Sequence, residues 1–171
     1  MNKKTAVVAA LLGTLSLGAQ GATFMDAGWA SQLCQAWNKN PTLTGKLGGD
    51  GWIANNAGRG YKTIQMYRDK CGLGSKVELT ISDKDGKAIC TRGGSVQNSS
   101  PDYKVDYLMH ATDEDWACMG EGSFGCGAMG AMTTGKLKFS GPKGEAMGVM
   151  GPFNEFLLLT GQVPGDKGSC P

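Results

Sequence analysis

Between Val77 and Thr91, apolar and polar residues alternate on either side of one dipeptide, and this pattern dictates an antiparallel β-hairpin. Val77, Leu79 and Ile81 alternate with Glu78 and Thr80, the period-two signature of a half-buried strand. Asp85-Gly86 makes the tight turn, because Gly accepts positive φ, and Lys87 to Thr91 is the return strand. Further strands follow the same rule. Tyr61 to Arg68 places Tyr61, Thr63, Gln65 and Tyr67 on one face and Ile64 and Met66 on the other. Tyr103 to Met109 alternates through Tyr103, Val105 and Tyr107, and Leu137 with Phe139 marks a short strand between Gly135 and Gly141.

Helices flank these strands. Trp29, Leu33, Ala36 and Trp37 fall at helical spacing over Asp26 to Asn38, and Pro41 with the stretch Gly45 to Gly51 ends that helix. Trp52 and Ile53 form an apolar island in the polar loop that follows. Thr112 caps a second helix, and Asp113, Glu114 and Asp115 suit the positive end of its dipole. Trp116 and Met119 supply its buried side, and Gly120 and Gly122 stop it. Pro142 suits a first helical position, and Ala146, Met147, Val149 and Met150 fit a short helix that Pro152 breaks. Phe153, Phe156, Leu157 and Thr160 make a last amphipathic helix, closed by Gly161 and Pro164. The order α-β-β-β-β-α-β-α-α predicts an α+β domain, one antiparallel sheet with helices on a face, able to enclose an apolar pocket.

Residues 1–22 read as a secretory signal: basic Lys3 and Lys4, an apolar run through Val7, Val8, Leu11, Leu12, Leu15 and Leu17, then small residues up to Gly21 and Ala22. The run is too short for a membrane span, which needs about 20 residues. The expectation is a periplasmic or secreted protein whose residues 23–171 form one domain. Its six cysteines, Cys34, Cys71, Cys90, Cys118, Cys126 and Cys170, suggest disulfides, with 15 connectivities open for full pairing. There is no C-x-x-C and one His, so neither a zinc site nor covalent haem is indicated. Of 17 Lys+Arg and 15 Asp+Glu, removal of Lys3 and Lys4 leaves 15 of each. Bulk charge therefore draws in neither nucleic acid nor an anionic surface.

Catalytic signals are sparse. His110 follows a strand and reads as a structural His; a hydrolase would need it to pair with an unsignalled Ser. The acids at 113–115 belong to a helix start, and Asp83 and Asp85 to a turn. Gly125-Cys126-Gly127-Ala128-Met129-Gly130 matches G-x-G-x-x-G but lacks the βαβ frame of a dinucleotide site. Methionine is more informative. Met119, Met129, Met132, Met147 and Met150 lie close together in the chain, and Met adapts to irregular shapes. They read as core packing first, ligand lining second and soft-metal ligands third. Met129 with Met132 and Met147 with Met150 are the pairs a copper or redox protein using Met and Cys would employ.

Thr134-Gly135-Lys136-Leu137-Lys138-Phe139-Ser140-Gly141-Pro142, followed by Glu145-Ala146-Met147, resembles the sterol carrier protein type 2 domain family. That family shows a G-K-L-x-(apolar)-x-G strand and then a helix beginning near an Ala-Met pair. Asp115-Trp116 with Met119 and Gly122 is similar to the family's D-x-W…G helix end, and the Asp85-Gly86 hairpin comes in the right order. The likeness spans roughly residues 26 to 163. It implies a five-stranded, antiparallel-rich sheet whose helices enclose an apolar tunnel. It also implies non-covalent carriage of sterols, fatty acyl chains or other lipids, with no catalytic centre and no cofactor. Partners would be a lipid and, transiently, a membrane or a donor or acceptor protein. An exported chain, six cysteines and the Gly-rich stretch Ser123 to Gly130 depart from the pattern. Under this reading Met119, Met129, Met132, Met147, Met150, Phe153, Phe156 and Leu157 line the pocket, and Trp52 and Trp116 edge its mouth. Release then requires movement of the terminal helix or the Gly-rich stretch.

Overall fold

The computed structural model describes residues 21–171; the leader-like segment up to residue 20 lies outside the described residues. Strands β1 (Tyr61–Arg68), β2 (Val77–Lys84), β3 (Lys87–Ser95), β4 (Tyr107–Ala111) and β5 (Lys138–Ser140) form one sheet in the order β3-β2-β1-β4-β5. Its pairs are antiparallel except β1 with β4, which run parallel. The helices are α1 (Ala27–Lys39), α2 (Pro41–Lys46), α3 (Asp113–Glu121), α4 (Ala128–Thr134), α5 (Lys143–Gly148) and α6 (Met150–Gln162). The architecture is α+β, a mostly antiparallel sheet with helices packed on it. Among the described residues no helix is long and apolar enough to cross a membrane.

Period-two alternation decides which side chains meet the helices. Ile64, Met66, Leu79, Ile81, Tyr107 and Met109 point to the covered face and are buried. Helix α1 lies directly on β3. Trp37 Nε1 donates to Ala88 O at 2.8 Å, Cys34 is bonded to Cys90, and a Cβ added to Gly93 would overlap Ala30 O. Only glycine permits that approach. Asp85 and Gly86 both have positive φ, and the Asp83 carboxylate accepts from Gly86 N–H, which gives the expected hairpin turn.

Several boundaries differ from the sequence reading. Pro41 begins α2 instead of merely ending α1, because the Asn40 side chain accepts from Thr42 N–H and Leu43 N–H and caps the new helix. Trp52 and Ile53 sit in a 3-10 turn and are buried. Strand β4 starts at Tyr107, four residues after the expected Tyr103. The buried Asp106 carboxylate accepts from Thr63 N–H at 2.8 Å and Asp102 N–H at 2.9 Å, which turns the chain before it. Gly120 lies inside α3, where its Cβ would stand 2.7 Å from Gly161 Cα of α6; it serves helix contact, and Gly122 in the left-handed conformation ends the helix. The end of the Gly-rich stretch forms the first turn of α4, capped from afar by Asn154 Oδ1 on Ala128 N–H. Pro142 stands just outside α5, as its N-terminal flank. The break between the last two helices falls at Val149, and Pro152 occupies the first turn of α6, where no partner for its missing N–H is required.

All six cysteines pair: Cys34–Cys90, Cys71–Cys170 and Cys118–Cys126. Three disulfides are compatible with an exported protein. The ends of the described chain are joined as well. Phe24 N–H donates to Asp166 O and Asp166 N–H to Ala22 O. The buried Arg68 donates to Asp113 and to the carbonyls of Lys167 and Ser169.

Candidate functional site

An apolar seam runs between the covered face of the sheet and the start of α6. Ile64, Tyr107 and Met109 form its floor, Trp37, Leu47 and Trp52 one wall, and Val149, Pro152, Phe153 and Phe156 its roof. Aromatic rings frame it. Trp37 stands 5.7 Å from Phe156, Trp52 5.7 Å from Tyr107, and Tyr107 4.9 Å from Phe139, all edge to face. The void itself is about 20 Å³. That is room for about one water, whereas an engineered apolar cavity of about 150 Å³ is needed to take benzene. The roof rests on the floor, so the apolar tunnel expected from the sequence is not open at this seam, and the void as it stands is too small for an acyl- or sterol-sized molecule.

One end of the seam is polar. Lys62 leaves β1 in phase with Ile64 and Met66, so its side chain is 0% exposed beneath the helical layer. Its ammonium donates to Glu145 Oε1 at 2.5 Å and to Trp52 O at 3.2 Å. It also stands 4.4 Å from the Trp52 ring centroid and 5.2 Å from that of Tyr107. Burial pushes the Lys62 ammonium below the ordinary lysine range, and the Glu145 carboxylate works against that. Tyr107 Oη donates to Glu145 Oε1 at 2.8 Å and accepts from Trp52 Nε1 at 2.8 Å. Burial first, then the neighbouring Glu145 charge, raises the Tyr107 phenol, which stays a neutral donor. Asn55 Nδ2 completes the shell on Glu145 Oε2 at 2.6 Å.

The expected site residues are distributed unevenly around this seam. Trp52, Phe153 and Phe156 line it. Met119, Trp116 and Leu157 are buried in the general core, and Met150 packs against that core. Met132 and Met147 border a separate open depression with Leu137 and Phe139, and Met129 is exposed. Sequence reasoning missed Trp37, Leu47, Ile64, Tyr107, Met109, Val149 and Pro152 as lining, and missed Lys62 and Glu145 altogether. A signal for Lys62 existed: a cation at an inward position of a strand otherwise facing the core.

The soft-metal reading loses its thiolates, because every cysteine is in a disulfide. His110 Nδ1 meets Asp69 Oδ1 at 2.5 Å, and its ring stacks on Tyr67 with centroids 4.5 Å apart. Asp69 also accepts from Lys138, and no serine is among the hydrogen-bond partners of His110 in the described residues.

No protein-family model matches the sequence, and no curated protein sequence does. Solved structures do match. The chain superposes on the crystal structure of sterol carrier protein 2 with a TM-score of 0.50 at 15% identity, over 82% of this chain and 98% of that one. The chain has the sterol carrier protein 2 fold. A conserved hypothetical protein of Thermus thermophilus aligns at 18% identity and TM-score 0.49, over 89% of this chain and 99% of its own. Sterol carrier protein domain 2 of Helicoverpa armigera aligns at 18% identity and TM-score 0.41, over 81% and 94%. Residues 134–147 run from the last residue of α4 through β5 into α5.

Proposed function

We propose that this protein binds an apolar ligand non-covalently in the seam between the sheet and α6 and carries it in the periplasm or outside the cell. The ligand is a sterol, a fatty acyl chain or another lipid. The observation that carries this reading is the wholly apolar lining of the seam, whose roof lifts to admit the ligand. All ten lining side chains are apolar or aromatic, and the seam lies between the sheet and the start of α6. The name of the superposed protein, sterol carrier protein 2, points the same way. Burial of apolar ligand surface supplies about 25 cal/mol per Å², so shape and contact suffice for affinity with few polar anchors. Trp52, Phe153 and Phe156 are the contacts proposed at the seam, with Met150 and Leu157 on the helix that forms its roof; Met119, Met129, Met132, Met147 and Trp116 lie away from it. No catalytic step is part of the function. Delivery involves transient contact with a membrane or with a donor or acceptor protein.

The test is uptake by delipidated protein. A fluorescent fatty acid or sterol titrated into it should gain emission and change the fluorescence of Trp37 and Trp52. Native mass spectrometry after gentle purification should show a co-purified hydrophobic molecule. Absence of both uptake and co-purification overturns the proposal.

A further inference from the structure

We propose that Lys62 is the head-group determinant of this site, and that its ligand is a single-chain amphiphile whose carboxylate takes the place Glu145 holds in the closed form. This rests on the apolar-ligand reading above. Three donors from three separate segments converge on the Glu145 carboxylate: Lys62 Nζ from β1, Tyr107 Oη from β4 and Asn55 Nδ2 from the loop before β1. The donors belong to the sheet side, and the acceptor belongs to the roof. Glu145 sits on α5, whose only buried residue is Ala146 and which runs through Val149 directly into the Pro152–Phe153 turn over the void. The ion pair is therefore the latch between roof and floor.

Raising the roof to admit a ligand draws Glu145 away from Lys62. The ammonium then keeps only Trp52 O and the faces of Trp52 and Tyr107, the same two rings that wall the void. A buried charge stripped of its partner is strongly unfavourable. A sterol hydroxyl, an alcohol or an ester leaves that charge uncompensated. A carboxylate restores it and meets the same donors in charge-assisted geometry. The exchange replaces one carboxylate by another, so net charge and protonation at the site are unchanged. The hydrocarbon chain would extend from this point along Trp52 and Tyr107 into the space vacated by Phe153 and Phe156.

Dodecanoic acid, methyl dodecanoate, dodecanol and dodecyl phosphate, titrated into delipidated wild-type protein at neutral pH, decide the matter. Dodecanoate should bind at least about tenfold more tightly than the ester and the alcohol, and more tightly than the phosphate. Lys62→Met should bring dodecanoate down to the affinity of dodecanol while dodecanol binding persists. Glu145→Gln, which removes the competing carboxylate, should strengthen dodecanoate binding. The carboxyl carbon of carbon-13-labelled dodecanoic acid should titrate at lower pH when bound than when free. Equal binding of acid, ester and alcohol by the wild type overturns the head-group assignment and leaves the apolar-ligand reading standing. Tighter binding of the phosphate overturns the carboxylate assignment. Failure to bind any of the four removes both. The wild-type series needs no variant, so it decides the assignment even where the Lys62→Met protein does not fold.

Discussion

Asp113 receives Arg68 Nε on one carboxylate oxygen and a terminal guanidinium nitrogen on the other, each at 2.7 Å, and Lys70 Nζ at 2.6 Å. The Arg68 hydrogen bonds lead in holding its pKa down, to about 2. The unfolded carboxylate titrates near 3.9, so the folded protein binds this proton less readily than the unfolded chain. The stabilisation is complete above about pH 4 and drains away as pH falls towards 2, by about 2 kcal/mol. Urea unfolding midpoints followed from about pH 6 to pH 2 should show that loss in the wild type and a flatter profile in Asp113→Asn. At the seam, Phe156 is buried against Trp37 beside the void. Phe156→Ala should cost about 3–5 kcal/mol and leave a dry apolar cavity. Tighter binding of benzene or xenon by that variant than by the wild type, detected by calorimetry or by xenon-shifted NMR resonances, checks the apolar character of the site.

Among the elements, contacts from elsewhere in the chain decide as much as local propensity. Helix α2 depends on Asn40, whose side chain occupies two otherwise unpaired N–H groups. Asn40→Ala should lower stability by about 1 kcal/mol in thermal or urea unfolding. Helices α3 and α6 cross at Gly120 and Gly161, where an added methyl would overlap backbone. Gly120→Ala should therefore destabilise by about 1–3 kcal/mol in the same measurement, although alanine is the better helix former. Pro152 is the contrasting case. At the first turn of α6 the proline displaces no hydrogen bond, whereas a mid-helix proline costs about 3 kcal/mol. The proline signal was visible in the sequence, but its position relative to the helix start depends on where Val149 leaves helical geometry.

At the scale of the molecule, the three disulfides constrain segments of very different length. Cys71 and Cys170 are 99 residues apart and fasten the C-terminal tail beside β1, where Arg68 also holds the carbonyls of Lys167 and Ser169. Cys118 and Cys126 are 8 apart and fix only the turn after α3. Loop-closure entropy then predicts a loss of about 4–5 kcal/mol for the Cys71→Ser/Cys170→Ser double variant against about 2–3 kcal/mol for Cys118→Ser/Cys126→Ser. Denaturant midpoints of the two variants, compared with the wild type, test that order. The two faces of the sheet are also closed in different ways. The far face holds buried Thr63, Gln65 and Glu78, with Gln97 and Asn98 backbone N–H groups donating to Glu78, so that face is closed by polar contacts. The apolar seam on the other face is closed by packing and by one ion pair.

Local rules carried the parts of the fold whose partners are near in sequence. The hairpin at Asp85-Gly86, the periodic burial of Trp29, Leu33 and Trp37 in α1, and the Thr112 cap of α3 follow from alternation, helical spacing and short-range hydrogen bonding, all of which the order of residues fixes by itself. Tertiary structure alone decided what depends on distant partners. It set the parallel pairing of β1 with β4, and the late start of β4 under the hold of Asp106 on Thr63. It raised α4 on a cap from Asn154, and it brought Glu145 across 83 positions of sequence to Lys62. The size of the void belongs with these, because it is the outcome of how closely side chains from separate segments pack. Periodicity tells which face a side chain turns to the core; it carries no information about how far the opposite wall stands.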